Sequence, residues 1–163
     1  MYASDSRRHR HQDRQRTGTG VRIGLVGCVK SKRAQPAPAR DLYTSPLFRG
    51  ARRFVERTCD RWFVLSAEYG LVAPETLLEP YERTLTTASP SERRQWAERV
   101  LGQLERELGR DLSPYVFELH AGRAYLDHGL VRGILERGGR VERPLHGLGL
   151  GARLAFYRER GCL

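Results

Sequence analysis

Val21-Arg22-Ile23-Gly24-Leu25-Val26-Gly27-Cys28 is the stretch that decides the fold, and it is followed at once by Val29-Lys30-Ser31-Lys32-Arg33. A short apolar run that stops at a polar, basic loop reads as a buried strand. Working outward, Arg61-Trp62-Phe63-Val64-Leu65-Ser66-Ala67 is a second such run and Tyr115-Val116-Phe117-Glu118-Leu119 a third. Between the first two, Ser45-Pro46 opens a helix with serine as N-cap and proline at the first helical position. Leu47, Phe48, Ala51, Phe54 and Val55 give that helix an apolar stripe, and it ends near Cys59. Between the second and third runs, Ser89-Pro90-Ser91-Glu92 caps a long helix to about Leu108, with Trp96, Val100, Leu101 and Leu104 facing inward. A helix over about 123–137 ends at Gly138-Gly139; a short edge strand at Val141-Glu142-Arg143-Pro144-Leu145 and a last helix ending near Arg160 follow. Alternating strands and helices predict one three-layer α/β domain, with a short, mainly parallel sheet and helices on both faces. The domain is expected over 21–163, and 1–20, rich in arginine and poor in aliphatics, as a disordered basic tail.

In such a sheet the turns that leave the strands lie along one edge, where ligands bind. Four turns, Cys28–Lys32, Ser66–Gly70, His120–Gly122 and Gly147–Gly151, are therefore expected to converge on one cleft. Of 29 basic residues only Lys30 and Lys32 are lysines, and both sit in the first of these turns. A coding bias toward arginine accounts for the excess. Lysine retained at two neighbouring places suggests a need for a compact ammonium rather than a planar guanidinium. The two lysines with the Ser31 hydroxyl, and the glycines Gly122, Gly147, Gly149 and Gly151 that open helices, suit a phosphate or carboxylate group. The glycine run is not a dinucleotide fingerprint, because it follows the last strand and no ribose-binding acid lies downstream. Lys30 also lacks the glycine pattern of a phosphate-binding loop.

The second turn supplies Glu68 and Tyr69, with Glu79, Tyr81 and Glu82 a little later. A carboxylate beside a cationic pocket can act as nucleophile or general base on a sugar ring. Tyrosine can stack on a base. His120, at the end of an apolar strand, has the tunable charge of an acid–base residue. Cys28, at a strand end near two lysines that would lower its pKa, has the chemistry of a nucleophile. Plainer roles fit the same residues: Glu68 as the partner of an arginine, Tyr69 and Tyr81 as loop packing, His120 as a strand cap, Cys28 as a buried filler. His128 and His146 have less in their favour. No His/Cys/Asp cluster has metal-ligand spacing, and no cofactor is expected.

The net charge of +10 favours anionic partners, a phosphorylated small molecule (a nucleotide) or nucleic acid. Charge alone does not choose between these and a merely solubilising surface. No apolar run approaches the ~20 residues of a membrane span, and no secretory leader is evident. Three cysteines without pairing or metal spacing point to reduced thiols in the cytoplasm.

Several of these segments stand together as a set: Cys28-Val29-Lys30-Ser31-Lys32, Pro38-Ala39-Arg40-Asp41-Leu42-Tyr43-Thr44-Ser45-Pro46-Leu47-Phe48, Leu65-Ser66-Ala67-Glu68-Tyr69-Gly70-Leu71, Glu79-Pro80-Tyr81-Glu82, Ala121-Gly122-Arg123-Ala124-Tyr125 and Gly147-Leu148-Gly149-Leu150-Gly151. Over about residues 22–158 the chain resembles a bacterial family of small domains of unknown function, common in actinobacteria. Similar domains accompany enzymes of deazaguanine base exchange in nucleic acids and look like relatives of the uracil-DNA glycosylase type of fold. The resemblance implies a nucleotide-related role. The family usually has Lys-His where this chain has Glu68-Tyr69, and Asp where it has Glu82. The function expected is that of a nucleotide- or nucleoside-processing enzyme that hydrolyses the base–sugar bond. In that scheme Glu68, Glu79 and His120 are the catalytic candidates. Cys28, Lys30, Ser31, Lys32, Ser66, Tyr69, Tyr81, Gly122, Tyr125, Gly147, Gly149 and Gly151 are the substrate-binding candidates. The alternatives are a non-catalytic nucleic-acid-binding module and a sensor of a small nucleotide.

Overall fold

The computed structural model describes residues 20–27 and 31–163. The expected tail (bar Gly20), Cys28 and Lys30 lie outside the described residues. In chain order the elements are β1 (Val21–Gly27), β2 (Ala37–Pro38), α1 (Ala39–Leu42), α2 (Pro46–Thr58), β3 (Arg61–Ser66), β4 (Gly70–Val72), β5 (Leu77–Leu78), α3 (Pro90–Leu108), β6 (Tyr115–His120), α4 (Arg123–Leu126), α5 (Leu130–Glu136), β7 (Arg140–Glu142) and α6 (Leu150–Glu159). The main sheet runs β4-β3-β1-β6-β7. β1 is parallel to both β3 and β6, and β6 to β7; β4 is antiparallel to β3. This is the α/β architecture anticipated from the alternation of elements.

β1 is the central strand because it can be covered on both sides. Its residues from Ile23 onward are buried. Gly24 is required by packing: a Cβ there would stand 2.8 Å from the Cβ of Val55 on α2. α2 thus lies directly against β1. The caps that set the two long helices are those the sequence suggested. Ser45 Oγ accepts the amide of Phe48 at 3.2 Å and Ser89 Oγ that of Glu92 at 3.1 Å.

α2 and α6 cover one face. Gly50 of α2 meets Tyr157 of α6 so closely that a Cβ would be 2.8 Å from the ring. α3, α4 and α5 pack together on the other face. β6 shows the two faces in consecutive residues. Phe117 lies toward Ile134 and Gly139 at α5, whereas Glu118 reaches Thr58 at the end of α2.

Three local expectations are corrected. The helix over 123–137 is two short helices, because Gly129 between them has φ +119°, a left-handed conformation that does not continue a helix. The segment after Ala67 is not wholly irregular: Gly70 at φ +74° reverses the chain, and β4 returns antiparallel along β3. The edge strand ends at Glu142, before Pro144.

Candidate functional site

The register of the parallel strands sets the carboxyl edge. Gly27 stands beside Leu65, and Val26 beside His120, so β1, β3 and β6 end nearly flush. Ser66, the last residue of β3, is fully buried there. Its hydroxyl donates to the Tyr81 hydroxyl at 2.8 Å and accepts the amide of Tyr69 at 3.0 Å. The Tyr81 oxygen lies 2.6 Å from that of Tyr43. Three hydroxyl groups therefore form one chain.

Lys32 completes this cluster. Its ammonium sits 4.4 Å from the centroid of the Tyr81 ring and 5.8 Å from that of Tyr43, within cation–π range. The placement comes from the backbone. Thr44 donates its amide to Ser31 O at 3.0 Å and Arg33 donates to Leu42 O at 2.8 Å, making a short antiparallel bridge of Lys32 with Tyr43. Tyr69 meets Tyr81 edge-on, with centroids 5.5 Å apart. Behind the turn, the Trp96 indole donates to Ser66 O at 2.8 Å, and buried Tyr125 packs against Trp96 at 5.2 Å.

Of the residues singled out in the sequence, the structure therefore brings together Lys32, Ser66, Tyr69 and Tyr81, with Ser31 on the adjoining bridge and Tyr125 one layer behind. Glu68 is half-buried between Ala67 and Tyr69, and its carbonyl accepts from Arg99 Nη1 at 2.8 Å. Glu79 is exposed. Neither carboxylate makes a hydrogen bond or ion pair among the described residues.

His120 is placed differently. Its side chain is completely buried between the sheet and α6. Nε2 lies 2.7 Å from Glu118 Oε1 and Nδ1 2.7 Å from the Tyr157 hydroxyl, so both ring nitrogens are engaged. Glu118 is held further by Arg22 at 2.7 Å and Thr58 at 3.2 Å, and Arg22 also pairs with Glu142. Burial pushes the Glu118 carboxyl up; the hydrogen bonds and charges of His120 and Arg22 outweigh it and leave it below its ordinary value. Cys59 beside it is pushed up to about 12 by burial and by the Glu118 charge, so its thiol stays protonated. Burial likewise raises the Tyr157 phenol. The Glu118–His120–Tyr157 part of this network is buried, and its other end reaches the surface at Glu142.

The glycine turns are accessible. A Cβ at Gly122, Gly147, Gly149 or Gly151 would meet nothing within 4 Å. Gly149 is the N-cap of α6. That helix ends where Arg57, near the C-terminus of α2, donates to Arg160 O and Gly161 O. Its start consequently lies toward the carboxyl edge of the sheet.

Sequence reasoning missed Tyr43 as a site residue, although it stood in a quoted motif. It also missed Glu118, whose signal was a charge inside an otherwise apolar strand, two residues before His120 and hence on the same face. Among the described residues no group of three His, Cys, Asp or Glu is placed to hold a metal ion. Nor is any described helix long and apolar enough to cross a membrane.

Residues 23–159 match the model of a family of unknown function, DUF6884, and the chain belongs to that family. It is also similar to the uncharacterized protein YfjM of Bacillus subtilis (strain 168), 32% identical over 76 residues, which is 42% of this chain and 51% of that protein. The chain thus spans about half the length of that relative. No solved structure matches it.

Proposed function

We propose that this chain binds a nucleotide or nucleoside at the carboxyl edge of β1 and β3 and hydrolyses the bond between base and sugar. One observation carries the reading: the Ser66–Tyr81–Tyr43 hydroxyl chain with the Lys32 ammonium over the Tyr81 ring and Glu68 on the turn after β3. The cation and the glycine-lined start of α6 suit a phosphate group. Tyr69 and Tyr81 offer ring surface to a base or sugar. The likeness of the motifs to domains that accompany base exchange adds support of the same kind.

Glu68 has the chemistry for the central step. Its carboxylate stabilises positive charge at the anomeric carbon as the base departs, and accepts a proton from water. The water oxygen bonds to that carbon, the carbon–nitrogen bond breaks with its electron pair on the base, and the proton passes through Glu68 to the base. His120 takes no direct part, because its ring is buried and both its nitrogens are hydrogen-bonded to Glu118 and Tyr157. Its contribution is to the shape of the sheet edge. The intracellular compartment of nucleotide chemistry fits the reduced cysteines expected for the chain.

The test is incubation with a panel of nucleoside monophosphates and short oligonucleotides, followed by chromatography for free base. Glu68→Gln is expected to lower turnover at least 100-fold, in the range of a lost general base, while Glu79→Gln leaves it within about threefold. Lys32→Ala is expected to raise KM. Absence of free base from every substrate overturns the cleavage.

A further inference from the structure

The short bridge between Ser31–Arg33 and Leu42–Thr44 has a second consequence. In extended backbone, consecutive side chains leave on opposite sides. Lys32 goes to the rings of Tyr43 and Tyr81. Arg33 goes the other way, into a separate cavity of about 360 Å³ bounded by Arg33, Arg40, Asp41, Tyr43, Arg49, Arg52, Arg53 and Glu56.

Five of those eight residues are arginines, and only two are acids. Both acids are already engaged by one guanidinium: Arg52 holds Asp41 at 2.8 Å and Glu56 at 2.6 Å. Arg40 lies 3.6 Å from the same Asp41. Arg53 donates to Cys162 O at 3.3 Å. That leaves Arg33 and Arg49, whose guanidinium groups make no hydrogen bond or ion pair among the described residues. Two uncommitted guanidiniums lining one cavity, beside three that have partners, offer charged donors for a tetrahedral oxyanion. Arginine presents its donors in a rigid plane, so less entropy is lost per hydrogen bond formed than with lysine.

We propose that this cavity is a phosphoryl-binding site, with Arg33 and Arg49 as the two residues that grip the oxygens. It is separated from the Lys32 cluster by the buried ring of Tyr43 and does not rest on the cleavage reading. A phosphoryl group reaches such a site from a free phosphorylated small molecule or from the backbone of a nucleic acid. The chemistry of recognition is the same, and the probe decides between the sources.

The experiment uses the full chain at low ionic strength. Orthophosphate, a nucleoside monophosphate and a fluorescent single-stranded DNA of about ten nucleotides are each titrated, by calorimetry for the first two and by polarisation for the third. The Arg33→Ala/Arg49→Ala double variant is compared with Arg94→Ala/Arg110→Ala, which removes equal charge elsewhere on the exposed surface. Circular dichroism confirms that both fold. The site predicts binding of at least one probe, weakened at least tenfold in the first double variant and less than threefold in the second. Binding of orthophosphate and monophosphate by the wild type, weakened in the first double variant, assigns the small-molecule source. Binding of the oligonucleotide alone, falling steeply with salt, assigns the backbone. Equal weakening in both double variants, or no binding of any probe, overturns the proposal.

Discussion

Tyr81 is the residue on which the carboxyl-edge cluster turns. Its hydroxyl stands between Ser66 and Tyr43, and its ring carries Lys32 on one side and meets Tyr69 edge-on. Replacing it with phenylalanine keeps the ring and removes the middle of the chain. Ser66, fully buried, then loses its acceptor, and an unmet buried hydroxyl costs about 1–3 kcal/mol. Tyr81→Phe is therefore expected to lower the free energy of unfolding by that amount, read as a lower urea midpoint with the slope unchanged. Tyr69→Phe deletes a hydroxyl that makes no hydrogen bond among the described residues, and should fall within about 0.5 kcal/mol of wild type. Equal effects of the two changes would show that the chain of hydroxyls contributes nothing to the fold. Lys32 acts on a different property. A half-exposed cation–π contact is worth only about 0.5–1 kcal/mol, so its loss should be visible in ligand binding far more than in stability.

At the scale of elements, the distance between α2 and β1 is fixed by an absent side chain. Gly24→Ala places a methyl 2.8 Å from the Val55 Cβ and 3.2 Å from the Cys59 sulfur. Neither the Cβ of a β-branched residue in mid-helix nor the central strand can yield cheaply. The expected cost is about 1–3 kcal/mol, as for other overpacked cores. Val55→Ala alone opens a cavity, but in the double variant the new methyl occupies part of it. The two changes should cost less together than their sum, by 0.5 kcal/mol or more; strict additivity would mean that Gly24 matters for another reason. Elements of this kind were legible in the sequence. The strands β1, β3 and β6 are nearly continuous apolar runs, and α2 and α3 announce themselves by Ser-Pro caps. The pieces that escaped are short and held by tertiary contacts. β4 exists because Gly70 turns the chain back on β3 and the Leu71 amide finds Gln103 at 2.8 Å, a partner 32 residues away. The site was legible to the same degree. Ser66 and Tyr69 follow from the end of the β3 run and Lys32 from the loop after β1, while Tyr81 stands in the polar segment Glu79–Glu82. Tyr43 depends on a bridge between two loops, and the burial of the His120 ring depends on Tyr157 arriving from the last helix. Neither contact has a local signature.

For the whole molecule, the Glu118 network has the widest reach. From β6 it ties Arg22 and, through it, Glu142 of β7, Thr58 of α2, and through His120 the Tyr157 of α6. One carboxylate so links the main sheet to both helices on that face. Its pKa is lower in the folded chain than in the unfolded one. The folded state therefore binds this proton less readily, and the carboxylate adds stability at any pH above the ordinary carboxylate value of about 4.3. That contribution is lost as pH falls through the lower, folded value. Wild type should accordingly hold a level melting temperature from pH 7 to about 5 and lose it progressively below. Glu118→Gln is expected to cost about 3 kcal/mol at pH 7, because Arg22 and His120 lose a buried anion, and to shallow the decline below pH 5. Thr58→Val, which removes one hydrogen bond and no charge, should lie between the two at pH 7 and keep the acid limb. Melting curves recorded at half-unit intervals from pH 7 to 3 separate these cases. Parallel limbs in wild type and Glu118→Gln would place the acid sensitivity in some other carboxylate and reduce Glu118 to a packing residue.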